Sequence, residues 1–173
     1  MENAEFEEVL PKLLNIALFE GFDGNNENDR RILKIFYDNV SIRMCKAGEI
    51  IIREGDIGDE FYILRSGSVH IYRETLSGDN LALADLNADM NIFFGETALI
   101  GKDARSATVQ ALTDCRLIVL SSKKFHEICE KEPVFAYKVL LVLARRLTKT
   151  VNDLNKDKAI LYEALFKEIS SVE

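Results

Sequence analysis

A glutamate and an arginine stand nine positions apart in the stretch FGETALIGKDARSATV, residues 94–109. Core packing gives no reason for a guanidinium at the mouth of a predicted strand, where Arg105 lies. The planar guanidinium matches a phosphate through parallel hydrogen bonds, and the hydroxyl of Ser106 is a further donor. This pattern predicts a binding site for an anion.

The residues between these two side chains predict a helical turn over 95–100. The first N–H groups of such a turn lack intrahelical partners and favour negative charge, and Gly95 lets a ligand approach the backbone closely. Glu96 would repel a phosphate and suits a neutral hydroxyl, such as a ribose 2′-OH. Together these features indicate a nucleotide pocket. The alternative is a surface salt bridge between Glu96 and Arg105, which would contribute little to stability.

The composition is that of a soluble protein of 173 residues, with 47% hydrophobic and 29% charged residues. The net charge of −7 opposes nucleic-acid recognition, so we expect no DNA binding by this chain alone. No apolar run reaches the length of a membrane span, and the acidic start MENAEFEEVL is unlike a signal peptide. We therefore expect a cytoplasmic protein without membrane contact.

Metal and catalytic chemistry have little support in the sequence. Cys45, Cys115 and Cys129 are widely spaced without a CxxC pair, which is typical of buried thiols in a reducing compartment. The acidic segment GDIGDEF lacks EF-hand spacing and favours a turn. We expect no metal and no catalytic residue, and a cupin-like enzyme with a bound metal is the alternative.

Hydrophobic periodicity divides the chain into three parts. Residues 1–39 have helical spacing, and residues 40–121 contain short alternating segments separated by turns rich in glycine and aspartate. Residues 122–173 return to helical spacing. The expected fold is α+β and mainly β: an antiparallel barrel or roll flanked by N-terminal helices and a long C-terminal helix.

Three helix starts are predicted from local signals. Pro11 suits a first turn, so the first helix is expected to begin late or to bend there. Asn28 or Asp29 is expected to cap the second helix, and Ser121 or Ser122 the short helix that precedes Pro133.

The last helix, predicted over residues 134–166, carries a heptad pattern that indicates a two-helix dimer seam. A homodimer through this helix is therefore expected, with Lys158 as a polar break. The alternative is that the same apolar residues only cover the β-roll. The seam positions are Leu140, Ala144, Leu147, Val151, Leu154, Lys158, Leu161 and Leu165.

The motif FGE-x-AL, followed by R-S-A-T-V, resembles the phosphate-binding cassette of cyclic nucleotide-binding domains, the family of the catabolite activator protein and of protein kinase A regulatory subunits. KAGEIIIREGDIGDEFYILRSGSVHIY resembles the opening strands of that family, and SSKKFHEICEKEPVFAYKVLLVLARRL is similar to its closing helices. The resemblance covers residues 18–154 and implies that the strands form an antiparallel β-roll, that is, a jelly roll or double-stranded β-helix.

The resemblance implies that Arg105 and Ser106 hold a cyclic phosphate, and that Glu96 accepts from the ribose 2′-OH. It also implies that Leu83 and Ala84 line the base pocket and that Thr150 contacts the purine. The implied ligand-binding residues are Leu83, Ala84, Phe94, Gly95, Glu96, Thr97, Ala98, Arg105, Ser106, Ala107 and Thr150.

Three positions depart from the family pattern. The segment NADMNIFFGE is longer than usual and lacks the glycine-aspartate turn before FGE. Thr97 stands where the family has an apolar residue, and Val151 stands where the catabolite activator protein has a serine.

Ser106 favours cAMP over cGMP, because cGMP-preferring members often carry threonine at this position. The resemblance thus implies a non-catalytic sensor in which the ligand draws the C-terminal helix over the pocket and an unidentified effector protein responds. Two alternatives remain: a degenerate dimer scaffold that binds no nucleotide, and the sensor fragment of a transcription factor whose DNA-binding part would follow Glu173.

Overall fold

The computed structural model describes residues 2–75 and 77–170. The chain divides into two compact units, Met1–Val139 and Leu140–Glu173. The helices are α1 (Glu2–Leu14), α2 (Glu27–Asp38), α3 (Thr97–Ile100), α4 (Ser122–Lys131) and α5 (Pro133–Ser170), with 3-10 helices at Ala17–Phe19 and Ala88–Met90. The strands are β1 (Ser41–Cys45), β2 (Ile50–Ile52), β3 (Glu60–Ser66), β4 (Ser68–Glu74), β5 (Asn80–Asn87), β6 (Phe93–Phe94), β7 (Thr108–Ala111) and β8 (Cys115–Ser121).

The strands form two four-stranded antiparallel sheets. Their orders are β1-β8-β3-β6 and β2-β7-β4-β5. Each sheet joins strands that are distant in sequence, as a roll requires and a simple meander does not. The predicted mainly β roll with flanking helices is confirmed, and the one strand that the sequence pattern missed is the two-residue β6.

Alternation along the strands places one apolar row of each sheet in a shared core. On β3, Tyr62 and Leu64 enter this core, while Ile63 between them faces the opposite side, where α1 lies. The buried core residues are Cys45, Ile51, Ile52, Tyr62, Leu64, Val69, Phe94, Val109, Ala111, Cys115, Leu117 and Val119. Burial of two of the three cysteines agrees with their interpretation as apolar core residues.

A cluster of phenylalanines joins the helices of the first unit. Phe36 of α2 lies between Phe19, at 4.9 Å between ring centroids, and Phe135 of α5, at 6.2 Å. Phe125 of α4 contacts the same Phe135 ring at 6.0 Å. Edge-on and stacked rings of this kind stabilise beyond their buried area by about 0.5–1.5 kcal/mol per pair.

The start of α1 corrects one prediction. The helix begins at Glu2, so Pro11 lies inside it rather than in its first turn. A proline there removes a single backbone hydrogen bond close to the helix end. Burial of the apolar face that Phe6, Val9 and Leu13 share offsets that loss.

The N-cap of α2 also differs from the predicted one. Asn26 is the N-cap, and its side-chain oxygen accepts from the Asp29 amide at 3.0 Å. The N-cap therefore lies two residues before Asn28 and three before Asp29. At α4, Ser121 accepts from the Lys124 amide at 3.3 Å, which confirms the serine cap.

Asp29 anchors α2 to the first turns of α5 through a buried ion pair. Both carboxylate oxygens lie 2.7 Å from Lys138 Nζ, and one also accepts from the Asp23 amide at 2.9 Å. Lys138 Nζ additionally lies 4.5 Å from the centre of the Phe22 ring. Asp29 is only 6% exposed, so the pair is shielded from water.

Replacing Asp29 by alanine would leave the Lys138 ammonium half-buried without its partner. We expect the free energy of unfolding to fall by about 3 kcal/mol, as for other broken buried pairs. Urea unfolding measures this loss. Asp38→Ala is the control, because it removes the exposed i,i+4 pair with Lys34 and should cost at most about 0.5 kcal/mol. Equal losses in the two variants would contradict a special role for Asp29.

Candidate functional site

Arg105 is buried, with 6% of its surface exposed. Its Nη1 donates to the Gly95 carbonyl at 3.1 Å, and its Nη2 donates to the Glu60 carbonyl at 2.6 Å. An exposed ion pair with Glu96 would require an exposed guanidinium, so the surface salt bridge considered from the sequence is not formed. The charge is instead held by backbone carbonyls of two different segments.

The backbone of Arg105 is fixed as firmly as its side chain. Its N–H donates to the Asp56 carbonyl at 2.9 Å, and its own carbonyl accepts from the Gly55 amide at 2.9 Å. Next to it, Ala104 forms an isolated antiparallel bridge with Ile57. The loop between β2 and β3 therefore runs alongside the cassette and sets the position of the arginine.

Two glycines make room for the guanidinium. A Cβ on Gly95 would lie 2.9 Å from Arg105 Nη1, and the positive φ of 76° at this residue disfavours any side chain. A Cβ on Gly58 would lie 2.8 Å from Nη2 and 2.9 Å from Nε. Both contacts are shorter than real Cβ atoms tolerate, so each glycine permits the observed guanidinium position.

Arg105 lines a small cavity of about 130 Å³. The Arg53 cation and the carboxylates of Asp56, Asp59 and Glu60 also border it. Glu60 accepts from the Tyr62 hydroxyl at 2.6 Å. Burial, more than this hydrogen bond, raises the pKa of Tyr62 well above its usual value, so the phenol stays a neutral donor at physiological pH.

The predicted turn after Gly95 is present as the short helix α3. Glu96 is its N-cap position and is half-buried, although its carboxylate makes no capping bond. The Ala98 amide donates to the Gly95 carbonyl at 3.2 Å. The amide of Ala98, one of the implied ligand-binding residues, is therefore used within the turn.

Ser106 and Ala107 form a bend between Arg105 and β7, with Ser106 exposed and Ala107 half-buried. The next residue, Thr108, is buried, and its hydroxyl accepts from the Glu54 amide at 3.0 Å. This bond ties the start of β7 to the loop that also holds Arg105. Ser106 thus follows the guanidinium at a position open to a ligand.

The remaining predicted site residues lie in three other places. Phe94 belongs to the core, where its ring stacks on Tyr62 at 5.4 Å. Ala84 of β5 pairs with Ile71 of β4. Leu83 lies next to Ala84, where the register between these two strands shifts, and half of its surface is exposed. Thr150 belongs to α5 within the second unit.

Sequence reasoning missed Gly58 and the Glu60 carbonyl. Both lie in the GDIGDEF segment, whose composition favours a turn and does not indicate contact with Arg105. The repeated glycines were a usable signal, because a turn needs one such residue and this segment has two. The carbonyl left no signal, since every residue carries one.

Within the described part of the chain, no group of three or more histidine, cysteine or acidic side chains is arranged to hold a metal ion. Nor does any helix among these residues combine the length and apolar character needed to cross a membrane.

Comparison with known proteins agrees with this geometry. A sequence model of the cyclic nucleotide-binding domain matches residues 42–132, more than half of the chain. The chain is 32% identical over 122 residues to the cyclic AMP receptor protein of Thermus thermophilus, covering 70% of this chain and 55% of that protein. It is 35% identical over 85 residues to the cAMP-dependent protein kinase regulatory subunit of Dictyostelium discoideum, covering 47% of this chain and 25% of that protein.

A similar solved structure is the N-terminal domain of a transcriptional regulator from Streptomyces coelicolor A3(2). Its TM-score is 0.69 at 26% identity, with 82% of this chain and 94% of that chain covered. The chain thus spans about half the length of the first curated relative and a quarter of the second. The matched span includes the whole cassette and the loop that fixes Arg105, and the chain belongs to the cyclic nucleotide-binding domain family.

Proposed function

We propose that this chain binds a cyclic nucleotide at the cassette around Arg105 and acts as a regulatory sensor without catalysis of its own. The observation that carries the proposal is the buried Arg105 guanidinium, held by two carbonyls and flanked by two glycines. A buried charge is stable only when paired or well hydrogen-bonded, and an anionic phosphate completes its coordination. Family membership supports the same ligand class.

The ligand is proposed to be cAMP in preference to cGMP. Two relatives carry cAMP in their names, the Thermus receptor protein and the Dictyostelium kinase subunit. Ser106 provides a smaller hydroxyl side chain than the threonine that cGMP-preferring members often have. In this arrangement Arg105 and Ser106 would bind the phosphate, Glu96 the ribose 2′-OH, and Leu83, Ala84 and Thr150 the base.

Signalling is proposed to pass through α5. The nucleotide would draw the cassette inward at Arg105, and its base would engage α5 through Thr150. A ligand shifts such an equilibrium only by its differential affinity for the two states, so the base contact must differ between them. The protein that reads the helix is a separate effector. A segment beyond this chain is the alternative, because the relatives are longer than the span they share with it.

Homodimerisation through α5 is the second part of the proposal. Six positions of the heptad seam are 43–61% exposed: Leu140, Leu147, Val151, Leu154, Leu161 and Leu165. The helix has 38 residues, or about 57 Å at 1.5 Å per residue. Burying this row against a second copy would remove the exposed half of several large aliphatic side chains from water, which contributes part of the about 1.5–3 kcal/mol that full burial of each would give. The competing function is a dimer scaffold that binds no ligand, for which the heptad seam alone would be sufficient.

Calorimetric titration with cAMP and with cGMP tests the ligand, after nucleotide carried over from expression has been removed. We expect micromolar or tighter binding of cAMP. Arg105→Ala should weaken it by about 30-fold or more, because the buried phosphate loses its charged partner. Lys102→Ala is the matched control, an exposed cation of the same loop, and should bind normally. A folded protein that binds neither nucleotide would favour the dimer scaffold.

Gly58→Ala tests the placement of the guanidinium without removing it. The added Cβ would displace Nη2, and we expect cAMP affinity to fall about tenfold, the worth of one charge-assisted hydrogen bond. In an Arg105→Ala background the same change should have no further effect. Gly21→Ala is the control, since its Cβ would meet Lys138 at an ordinary 3.6 Å. Equal losses in both backgrounds would show that Gly58 acts independently of Arg105.

Leu154→Asp tests the seam by placing a carboxylate in it. Sedimentation velocity over a range of concentrations should show a dimer for the original protein and a monomer for the variant. Asn152→Asp adds the same charge outside the seam and should leave the dimer intact. Lys158→Leu removes the polar break and should strengthen association. A monomer at every concentration, or equal behaviour of the two aspartate variants, would refute dimerisation through this face.

A further inference from the structure

A second cavity lies on the outer face of the sheet β1-β8-β3-β6, beneath α1, and we call it the outer crevice. Its volume is about 390 Å³, within the range of about 300–1,000 Å³ typical of small-molecule sites. Val9 and Leu13 of α1 form one wall, and Ile63 of β3 and Ile118 of β8 form the floor. Arg105 does not line it, so it is separate from the cassette site.

The wall opposite α1 is made by the segment that departs from the family pattern. Residues 88–91, in the NADMN stretch, comprise the second 3-10 helix, Ala88–Met90, and its C-cap Asn91, whose φ of 51° is left-handed. The Ala88 amide donates to the Gly67 carbonyl at 3.1 Å, which fixes this turn to the β3–β4 hairpin. The longer NADMN segment therefore forms one wall of the outer crevice.

Charges at the rim of the outer crevice are unbalanced. Lys12 and Arg65 both line it. Neither the Lys12 ammonium nor the Arg65 guanidinium forms an ion pair or hydrogen bond with a described side chain or backbone group. Arg65 is half-buried, and Lys12 is exposed. Asp89 is the single carboxylate among the lining residues, so two cations face one anion. A half-buried guanidinium offers five donors, and nothing described accepts from them.

The aliphatic walls lie below two cations, Lys12 and Arg65, that form no ion pair, and this combination suits an amphipathic anion. We propose that the outer crevice binds a small aliphatic carboxylate, with its carboxylate between Arg65 and Lys12 and its chain against Val9, Leu13 and Ile118. Arginine matches a carboxylate through two parallel hydrogen bonds, and the aliphatic wall supplies apolar contact for the chain. The aliphatic side chains are themselves at most 4% exposed, so the occupant lies along them and does not replace them in the core.

Calorimetric titration of the full chain with sodium hexanoate, octanoate and decanoate, each below its micelle concentration, tests this site. Saturable one-to-one binding is expected, tightening by less than the roughly fourfold per methylene that full burial would give, because Val9, Leu13 and Ile118 expose at most 4% of their surface. Arg65→Gln should weaken octanoate at least tenfold and leave 1-octanol unchanged. Lys102→Gln, which removes an exposed cation elsewhere, should change neither. Amide resonances of Ile16, Asn91 and Ile118 should shift in ¹⁵N spectra.

Arg105→Ala should bind octanoate as the original protein does, which separates this site from the proposed nucleotide site. Three results would overturn the proposal: no saturable binding at millimolar octanoate, equal losses in Arg65→Gln and Lys102→Gln, or resonance shifts confined to the cassette. Circular dichroism of Arg65→Gln confirms that a loss of binding is not a loss of folding. Lys12→Gln is a second variant that removes a proposed carboxylate partner. It lies on the surface of α1, where substitution leaves the core intact, and it should also weaken octanoate binding.

Discussion

The burial of one guanidinium constrains the rest of the first unit. Transfer of a charge from water into a protein interior costs several kcal/mol unless hydrogen bonds replace its hydration. Arg105 receives that replacement from carbonyls on β3 and after β6, which lie 45 and 10 residues away in sequence. The sheet order brings β6 beside β3, so both acceptors reach the same side chain. The roll topology and the arginine site therefore depend on each other.

Alternation and turn residues were sufficient to predict the roll. Seven of its eight strands coincide with segments whose apolar residues alternate between glycine- and aspartate-rich turns. The missing strand, β6, is two residues long, and its pairing with Tyr62 and Ile63 depends on tertiary contact and not on local pattern. The late start of α1 expected from Pro11 was wrong for a related reason. A local penalty of one hydrogen bond is smaller than the burial of an apolar helix face, which only the folded chain reveals.

The side chains of the candidate site could be proposed from the sequence, and the backbone around it could not. Arg105, Ser106 and Glu96 stand out because their types and spacing are visible in the sequence. The groups that position Arg105 are carbonyls, which every residue has, and a glycine whose function is to leave space. Asn26 illustrates the same limit on a smaller scale. Three polar residues near the start of α2 could cap it, and only the backbone path selects one of them.

The hydrogen bonds around Arg105 also indicate how a ligand would act on the cassette. The guanidinium uses two of its five N–H groups on carbonyls, so donors remain for a phosphate and little binding free energy is spent on ordering the side chain. The Gly95 carbonyl, however, accepts from both Arg105 and the Ala98 amide. A phosphate that draws Nη1 away from this carbonyl leaves it to α3 alone. This shared acceptor therefore links the position of the Arg105 guanidinium to the start of α3.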